Sequence, residues 1–355
     1  MQDSAQPGES ARRSPGGDWL LFDVIRRWLA ALQAAGARIA PVFWPVVGIA
    51  AVLLSFWLLF QEFQGSTVAD VWRALQSIPP HRYLLALMAT AAAYWALAGY
   101  DRIALMHLRK EQGISWLYIT LTSFTTYALS HNIGASVFSG GMVRYRAYHA
   151  KGLSAGEVAV LVAFCSFTFA FGMILIGGVV FTFEPDLMRS LLRHIHVRVP
   201  LWTAQMIGMC CLGFVALYML GALLKLPALR IGSLTLEYPR LPIALRQLFI
   251  GPLEIAAAAG IIYFALPEAG NPGYFVVLGV FVAVFSAALL SQAPGGLGVM
   301  ELLFIKALPN IPKLEVLAAI LVFRLFYLLA PLAISAVIVL MFERNQLAHR
   351  NDSQA

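Results

Sequence analysis

A cationic segment opened by two glycines interrupts an otherwise apolar chain: FSGGMVRYRAYHAKGLS, from Phe138 to Ser154. A helix that begins after Gly140-Gly141 presents free backbone N–H groups and the positive end of its dipole. Arg144 adds a guanidinium, which can hold a phosphate through two hydrogen bonds. These residue types predict an anion-binding segment. The alternative is that both of its arginines extend to lipid headgroups at the membrane surface.

Helical spacing decides which of these side chains can share a site. Arg144, Tyr148 and Lys151 fall on one stripe of a helix, whereas Arg146 points nearly the other way. We therefore expect one arginine of the two to face a given cavity. Arg144, Arg146 and Tyr148 are the candidate headgroup contacts of this segment.

A second glycine-rich cluster carries the opposite charge, because Glu301 follows the sequence PGGLG at 294–298. Glu254 and Arg324 interrupt two other apolar runs, and Asp101 ends a third. An ionised residue at a helix centre costs about 2.5 to 3.5 kcal/mol on insertion scales, so it usually faces a polar interior or another charge. The hypothesis is a translocation pathway lined by Asp101, Arg144, Glu254, Glu301 and Arg324. Purely structural pairing, for example of Arg324 with Glu254, is compatible with it.

The composition places these charges in a membrane. Of 355 residues, 60% are hydrophobic and 12% are charged, and the mean hydropathy is +0.76. Such a chain is typical of polytopic membrane proteins and not of soluble enzymes. The net charge of +7 suits contact with anionic lipids. Without a basic patch that carries interleaved exposed aromatics, it gives no reason to expect nucleic acid as a partner.

Apolar runs long enough to cross about 30 Å of hydrocarbon recur along the chain. We expect an all-α polytopic membrane protein with about eight transmembrane helices, over the runs Pro41 to Phe60, Tyr83 to Tyr100, Ile114 to Val143, Val158 to Phe183, Val199 to Leu224, Gln247 to Leu266, Asn271 to Met300 and Val316 to Phe342.

Charge asymmetry predicts the orientation. Five arginines precede the first run, at positions 12, 13, 26, 27 and 38, and by the positive-inside rule they place the amino terminus in the cytoplasm. An even number of crossings returns the carboxyl terminus there. With eight spans, 13 Lys/Arg lie on the inside and 11 on the outside, and Arg324 lies within a span. This difference is too small to determine the orientation of the spans in the middle of the chain.

The expected organisation has three parts. Residues 1–40 form a cytoplasmic leader in which Val24 to Ala40 could be an interfacial amphipathic helix. Residues 41–342 form the transmembrane domain, and residues 343–355 form a cytoplasmic tail.

Two of the runs, Ile114 to Val143 and Asn271 to Met300, are longer than one crossing needs and end in NIGASVFSGG and SQAPGGLG. Helices that break inside a membrane are tolerated only where protein or a wet cavity satisfies their backbone groups. We therefore predict two re-entrant broken helices, whose critical backbone positions are Gly140, Gly141, Pro294, Gly295, Gly296 and Gly298.

The two clusters also form a pseudo-repeat. Ser139 to Phe164 aligns without gaps with Leu297 to Val322, pairing Gly140 with Gly298 and Glu157 with Glu315. Both copies show a Gly-rich break, a short helix, a turn and then Glu-Val at the start of an apolar helix. Corresponding broken helices in repeats indicate a transporter binding site. Under the eight-span count the copies run parallel, and one crossing more or fewer would invert them; two unrelated Gly-containing turns are the alternative.

The stretches SGGMVRYRAYHAKGLS, APGGLGVMELLF and GYD resemble recurring features of the lysylphosphatidylglycerol synthase transmembrane family, the flippase half of the bacterial multiple peptide resistance factor. The similarity covers roughly Pro41 to Phe342. It implies a protein of the bacterial inner membrane that moves aminoacylated phosphatidylglycerol, such as lysyl-phosphatidylglycerol, from the inner to the outer leaflet and so contributes to resistance to cationic peptides. By the same resemblance, Asp101, Arg144 and Glu254 correspond to charged residues important for translocation.

Full-length relatives of that family continue into a soluble aminoacyltransferase domain, whereas this chain stops at Ala355. We therefore expect no acylation and no tRNA binding from it, and either a standalone protein or a fragment of a longer one. The expected partners are anionic and aminoacylated phospholipids, with a separate or fused aminoacyl-phosphatidylglycerol synthase domain; a homo-oligomer is left open.

Motifs for enzyme chemistry are missing from the sequence. His194 and His196 lack a carboxylate partner at metal-ligand spacing, and there is no Walker A, GxSxG or HExxH sequence. We expect no metal and no cofactor, so transport would be facilitated or ion-coupled. Two other functions stay open: transport of another lipid or amphiphile, and a scaffold role in the membrane for a lipid synthase.

Overall fold

The computed structural model describes residues 67–133, 136–187, 200–226, 229–231, 234–236 and 238–340, with a few positions between 53 and 61. Its elements in chain order are α1 Val68–Gln76, α2 Pro80–His107, α3 Trp116–Ile133, α4 Ser136–His149, α5 Ala155–Phe183, α6 Leu201–Leu223, β1 Leu229–Ile231, β2 Leu234–Leu236, α7 Leu241–Ala265, α8 Tyr274–Leu290, a 3-10 turn Pro294–Gly296, α9 Val299–Ala307 and α10 Lys313–Leu340. The described part is therefore helical apart from one small antiparallel hairpin.

Helix starts follow from local sequence. Thr67 and Ser154 cap α1 and α5 by accepting from the backbone N–H of Asp70 and Glu157, whose carboxylates accept in return from the cap residue's N–H. This reciprocal pattern satisfies two donors that a helix start otherwise leaves free. The Glu-Val that opens α5 is thus part of a capping box.

Five of the described helices are long and apolar enough to cross a membrane: α2, α5, α6, α7 and α10. They confirm five of the eight predicted spans. The run Pro41 to Phe60, the leader 1–40, the tail 343–355 and the pair His194 and His196 lie outside the described residues, in whole or in large part.

The other two described runs are each broken into separate helices, as their Gly-rich clusters predict. Ile114 to Val143 forms α3 and α4, while Asn271 to Met300 forms α8, the 3-10 turn and the start of α9. In the second run Gly295, Gly296 and Gly298 have φ of 57°, 64° and 77°, a left-handed region that glycine adopts at little cost. Helix α8 ends at Leu290, before these glycines, and α9 begins at Val299, directly after them.

The first glycine pair behaves differently from the prediction. Instead of preceding a helix, Gly140 and Gly141 lie inside α4, which begins at Ser136. A Cβ at Gly140 would stand 2.4 Å from Ser130 Oγ on α3, whereas one at Gly141 would meet nothing within 4 Å. Gly140 therefore permits the close approach of two helices and does not start one.

The pseudo-repeat extends well beyond the aligned segment. In the register that pairs Gly140 with Gly298, α4 ends where α9 ends and α5 begins where α10 begins. The same register pairs four further boundaries. Two are the ends of α2 and α7, at His107 and Ala265, and the starts of α3 and α8, at Trp116 and Tyr274. The others are the starts of α4 and the 3-10 turn, at Ser136 and Pro294, and the ends of α5 and α10, near Phe183 and Leu340. Two four-element units with matching lengths therefore flank α6.

The equivalent helices α2 and α7 pack against each other in opposite directions. A Cβ at Gly99 would lie 3.0 Å from Ile250, and one at Gly260 would lie 3.6 Å from Ala89. Arg82, near the start of α2, donates to the carbonyl of Leu266 just after α7. The copies are therefore inverted, which corrects the parallel arrangement expected from eight crossings.

Close backbone contact also joins the two units, through Gly172 on α5 and Gly251 on α7. A Cβ at Gly172 would lie 2.6 Å from the Gly251 carbonyl carbon, and one at Gly251 would lie 2.9 Å from the carbonyl oxygen of Thr168. Small residues at such crossings let membrane helices approach and gain van der Waals contact. The neighbouring backbone cannot move away as the end of a side chain could.

Gly172→Ala should lower stability by about 1–3 kcal/mol, because the added methyl group meets backbone and forces α5 away from α7. Gly213→Ala on α6 is the matched control: a Cβ there meets nothing within 4 Å, and alanine is the better helix former. The measurement is thermal unfolding of both variants in detergent. Equal melting temperatures for the two variants would contradict a tight α5–α7 crossing.

Candidate functional site

A buried ion pair joins α2 to α4. Arg144 donates from Nη2 to Asp101 Oδ1 at 2.7 Å and from Nε to Oδ1 and Oδ2 at 3.1 and 3.3 Å. Asp101 is 0% exposed and Arg144 5%. Parallel bonds from one guanidinium to one carboxylate fix both groups in orientation as well as in distance. This pair ties the short helix α4 to the long helix α2.

Side chains from two further helices, α3 and α5, and from α4 itself complete what we call the Asp101 cluster: Asp101, Arg144, Tyr127, Tyr148 and Cys165. The hydroxyl of Tyr148 donates to Asp101 Oδ2 at 2.8 Å, and the Cys165 thiol donates to Oδ1 at 3.4 Å. The guanidinium carbon of Arg144 lies 4.7 Å from the ring centroid of Tyr127, within cation–π range. Hydrogen bonds and a cation–π contact from side chains on four helices therefore offset the free-energy cost of removing the two charges from water.

Glu254, in the middle of α7, is held by tyrosines. Tyr327 on α10 donates a hydrogen bond to its Oε1, and the Tyr100 hydroxyl on α2 lies 3.4 Å from its Oε2. Tyr94 donates in turn to the carbonyl of Tyr327 at 2.9 Å. The carboxyl group is 3% exposed, and among the described residues no arginine or lysine bonds to it.

A second ion pair closes the broken segment between α8 and α9. Arg324 donates from Nε to Glu301, from Nη1 to the carbonyl of Gly295 at 2.9 Å and from Nη2 to that of Gly296 at 3.2 Å. It thereby satisfies carbonyls that the 3-10 turn leaves without helical partners. Arg324 begins the π-helical part of α10, Arg324–Leu329, a local irregularity that is frequent at functional sites.

Helix α3 brings a polar face between these clusters. His131 stacks on Tyr327 with ring centroids 5.2 Å apart and lies 5.6 Å from Tyr127, so aromatic contacts run from the Asp101 cluster to Glu254. Several buried polar atoms in the described part of the chain have no protein hydrogen-bond partner: Ser123 Oγ, Thr125 Oγ1, Ser130 Oγ, His131 Nδ1, Glu111 Oε2 and Glu301 Oε2. Buried polar groups rarely stay unbonded, so the α3 atoms and Glu301 are positions at which water or a polar ligand could bond.

The structure brings together most of the predicted site residues but in different pairs. Asp101, Arg144 and Tyr148 form one cluster, as the helical stripe predicts, while Arg146 is exposed. Lys151, predicted on the same stripe, is exposed and stands 4.8 Å from the ring of Tyr118. The suggested pairing of Arg324 with Glu254 is wrong, because Arg324 bonds to Glu301.

Sequence reasoning missed the aromatic and thiol members of the site: Tyr94, Tyr100, Tyr127, Tyr327 and Cys165. Tyrosines in apolar runs are ordinarily assigned to the membrane interface, and their sequence positions carry no sign that they converge on one carboxylate. For His131 the sequence did contain an indication, because this residue lies in the polar stretch of α3. Nothing in its spacing, however, linked it to Tyr327. Among the described residues no group of three or more His, Cys, Asp or Glu could hold a metal ion.

A family model for the lysylphosphatidylglycerol synthase TM region matches residues 46–335. The chain belongs to this family. With five long apolar helices in its described part, it is a multi-pass membrane protein. The match covers the described elements from α1 to nearly the end of α10, so the Asp101 cluster, Glu254 and the Glu301–Arg324 pair all lie within the family's region.

Two curated relatives are similar over most of their length. The protein slr0712 of Synechocystis sp. is 29% identical over 323 residues, which are 89% of this chain and 94% of that protein. The inner membrane protein YbhN of Escherichia coli is 28% identical over 298 residues, 81% of this chain and 88% of YbhN. The second relative is an inner membrane protein by its name, and neither name gives a substrate.

The Asp101–Arg144 pair should show strong energetic coupling. Asp101→Leu or Arg144→Met alone should cost about 3–5 kcal/mol, because each leaves a buried charge without its partner, while the double variant should cost much less than the sum. The measurement is a double-mutant cycle from denaturant unfolding in mixed micelles.

Lys110→Met provides the surface comparison for that cycle. Lys110 pairs with Glu157 at 3.0 Å, and the two side chains are 42% and 30% exposed, so its loss should cost at most about 1 kcal/mol. Additive costs for Asp101 and Arg144 would show that the two charges do not depend on each other.

Proposed function

We propose that this protein is a lipid flippase that translocates aminoacylated phosphatidylglycerol, of the lysyl-phosphatidylglycerol type, from the inner to the outer leaflet of the bacterial cytoplasmic membrane. Such transport would contribute to resistance to cationic peptides by lowering the negative charge of the outer surface. The observation that carries the proposal is a buried guanidinium, Arg144, and a buried carboxyl without a basic partner among the described residues, Glu254, inside one apolar bundle. Membership in the lysylphosphatidylglycerol synthase TM region family supports it.

The topology we propose has re-entrant pairs in place of two crossings. Since α2 and α7 pack in opposite directions, an odd number of crossings separates their starts. The helices α2, α5 and α6 supply three, and therefore the pair α3–α4 enters the membrane and returns to the side it left. By the inverted repeat, α8, the 3-10 turn and α9 do the same from the opposite side, which is the arrangement of many transporter repeats.

The distribution of Lys and Arg agrees better with this six-crossing topology than with the eight-crossing topology. With the amino terminus in the cytoplasm, the first run crossing and both re-entrant pairs returning, six crossings keep the carboxyl terminus in the cytoplasm as well. The sequence then has 16 Lys/Arg inside and 7 outside, with Arg144 and Arg324 within the bundle. Such an excess of inside charge is what the positive-inside rule expects of short loops.

In this orientation the charged groups are spread along the membrane normal. Asp101 lies about 9 Å from the inner end of α2, Glu254 about 20 Å from the inner end of α7, and Arg324 about 16 Å from the outer end of α10, at ~1.5 Å per residue. The Asp101 cluster is thus nearest the cytoplasm, whereas Glu254, about 16 Å from the outer end of α7, and Arg324 lie at similar depths near the middle. A headgroup moving outward would meet the Asp101 cluster first.

The charges also match the proposed lipid. Arg144 is the first buried cation on the route from the cytoplasm, and a lipid phosphate would bind to it through the donors that Asp101 does not use, because Asp101 accepts from Nε and Nη2. The aminoacyl group carries an ammonium, for which Glu254 is the better candidate, because Arg324 already bonds to Glu301. The phosphate and one ammonium of the headgroup would thus meet two opposite charges of the protein.

Arg144→Ala should slow translocation of lysyl-phosphatidylglycerol in proteoliposomes by about 10- to 100-fold, since a hydrogen bond to a charged group contributes about 1.5–3 kcal/mol. Leaflet-resolved fluorescence of a labelled lipid measures the rate. Arg146→Ala is the matched control from the same helix, because Arg146 is exposed, and its rate should stay within about twofold of the intact protein.

The same assay separates the other functions. Equal rates for lysyl-phosphatidylglycerol and plain phosphatidylglycerol would replace the proposal with a broader lipid transporter. A protein that moves no lipid, yet is needed for the activity of a co-reconstituted lipid synthase even as Arg144→Ala, would act as a scaffold.

A further inference from the structure

Glu254 differs from the other buried carboxylates of the described residues in what holds it. Asp101 and Glu301 each bond to an arginine, whereas Glu254 bonds to the hydroxyls of Tyr100 and Tyr327. An ionised carboxylate in an apolar interior is costly unless a cation pairs with it. Glu254 must therefore bind either a cation or a proton.

Its hydrogen bonds are complete when the carboxyl group is protonated. The Tyr327 hydroxyl donates to Oε1. The Tyr100 hydroxyl lies 3.3 Å from the carbonyl oxygen of Gly251 and 3.4 Å from Glu254 Oε2, but it has one proton to give. If Tyr100 donates to Gly251, Glu254 Oε2 can carry a proton and donate to Tyr100, so that every group has a partner.

The groups around Glu254 do not supply a counter-charge. Its immediate neighbours are neutral phenols, and the ions closest to them are already paired: Arg144 with Asp101 and Arg324 with Glu301. The titratable groups that interact with Glu254, or with the tyrosines that hold it, are Tyr94 and Tyr100 from α2, Tyr127 and His131 from α3, Cys165 from α5 and Tyr327 from α10. Arg144 and its partner Asp101 lie behind Tyr127, and Arg324 begins the π-helical turn that contains Tyr327.

We infer that Glu254 is a proton-binding site at which a proton and the ammonium group of the lipid exchange. This rests on the proposed function and adds its energy source. When the headgroup arrives from the cytoplasmic side, the ammonium favours the ionised carboxylate, the O–H bond of Glu254 breaks and the proton goes to cytoplasmic water. When the lipid leaves outward, a proton from external water forms the O–H bond again. One proton enters for each lipid exported, so the proton gradient across the membrane drives export.

Binding of lysyl-phosphatidylglycerol to the purified protein in weakly buffered detergent should release about one proton per lipid bound, because the ammonium replaces it at Glu254. A pH-sensitive dye measures the release, and binding is measured in the same samples. Glu254→Gln should bind the lipid more weakly and, compared at equal occupancy, should release at least about tenfold fewer protons per lipid bound, since an amide has no proton to lose in this pH range. Glu157→Gln, at a surface carboxylate that is 30% exposed and remote from Glu254 in the sequence, should release as many protons as the intact protein.

A second measurement tests the protonation of Glu254 in the absence of lipid. The infrared spectrum of the lipid-free protein should contain a protonated-carboxyl C=O band that is absent from Glu254→Gln and present in Glu157→Gln. In proteoliposomes, acidifying the side from which the proton enters should speed export by the intact protein and leave Glu254→Gln unchanged.

The outcomes separate this inference from the flippase proposal. Lipid movement without proton release, or a lipid-free protein that lacks the Glu254-dependent infrared band, overturns the exchange and leaves the flippase standing. Lack of any lipid binding or movement overturns both. Proton release that persists in Glu254→Gln assigns the proton to another group and also overturns the exchange.

Discussion

A carboxylate in the hydrocarbon core needs either a cation or a proton, and the arrangement of this protein follows from how each of its buried carboxylates meets that need. Asp101 is held by Arg144, which brings the short helix α4 against α2. Glu301 is held by Arg324, which also bonds to the carbonyls of the 3-10 turn. The broken segments, whose backbone would otherwise be exposed to lipid, are thus fixed by the same arginines that neutralise the charges.

The inverted repeat explains where these groups lie. Each unit contributes a long helix, a shorter helix, a broken or short helix and a second long helix, and α2 and α7 meet in opposite directions between the units. In the first unit the short helix carries Arg144, and in the second it carries Glu301. Equivalent elements therefore carry opposite charges, Arg144 on α4 and Glu301 on α9, and Glu254 lies on α7, the equivalent of α2.

Aromatic side chains connect the charged groups without adding charge. Tyr127 lies under Arg144, His131 stacks on Tyr327, and Tyr327 donates to Glu254. A change in the charge of Glu254 would alter the hydrogen bond that Tyr327 makes, and Tyr327 lies in the π-helical turn that Arg324 begins. The protein thus has a continuous set of packed contacts through which occupancy of one group can affect another.

The sequence by itself determined the membrane class, five of the spans and the charged residues of the bundle, because the absence of charge over a membrane's thickness and the cost of each exception are local properties. It also indicated the two Gly-rich clusters and part of the repeat. Tertiary structure alone decided that the copies are inverted, that Gly140 serves close packing and that Arg324 pairs with Glu301. Direction and pairing depend on which faces of distant helices meet, and tyrosines such as Tyr100 and Tyr327 acquire their role only when packing brings them to one carboxyl group.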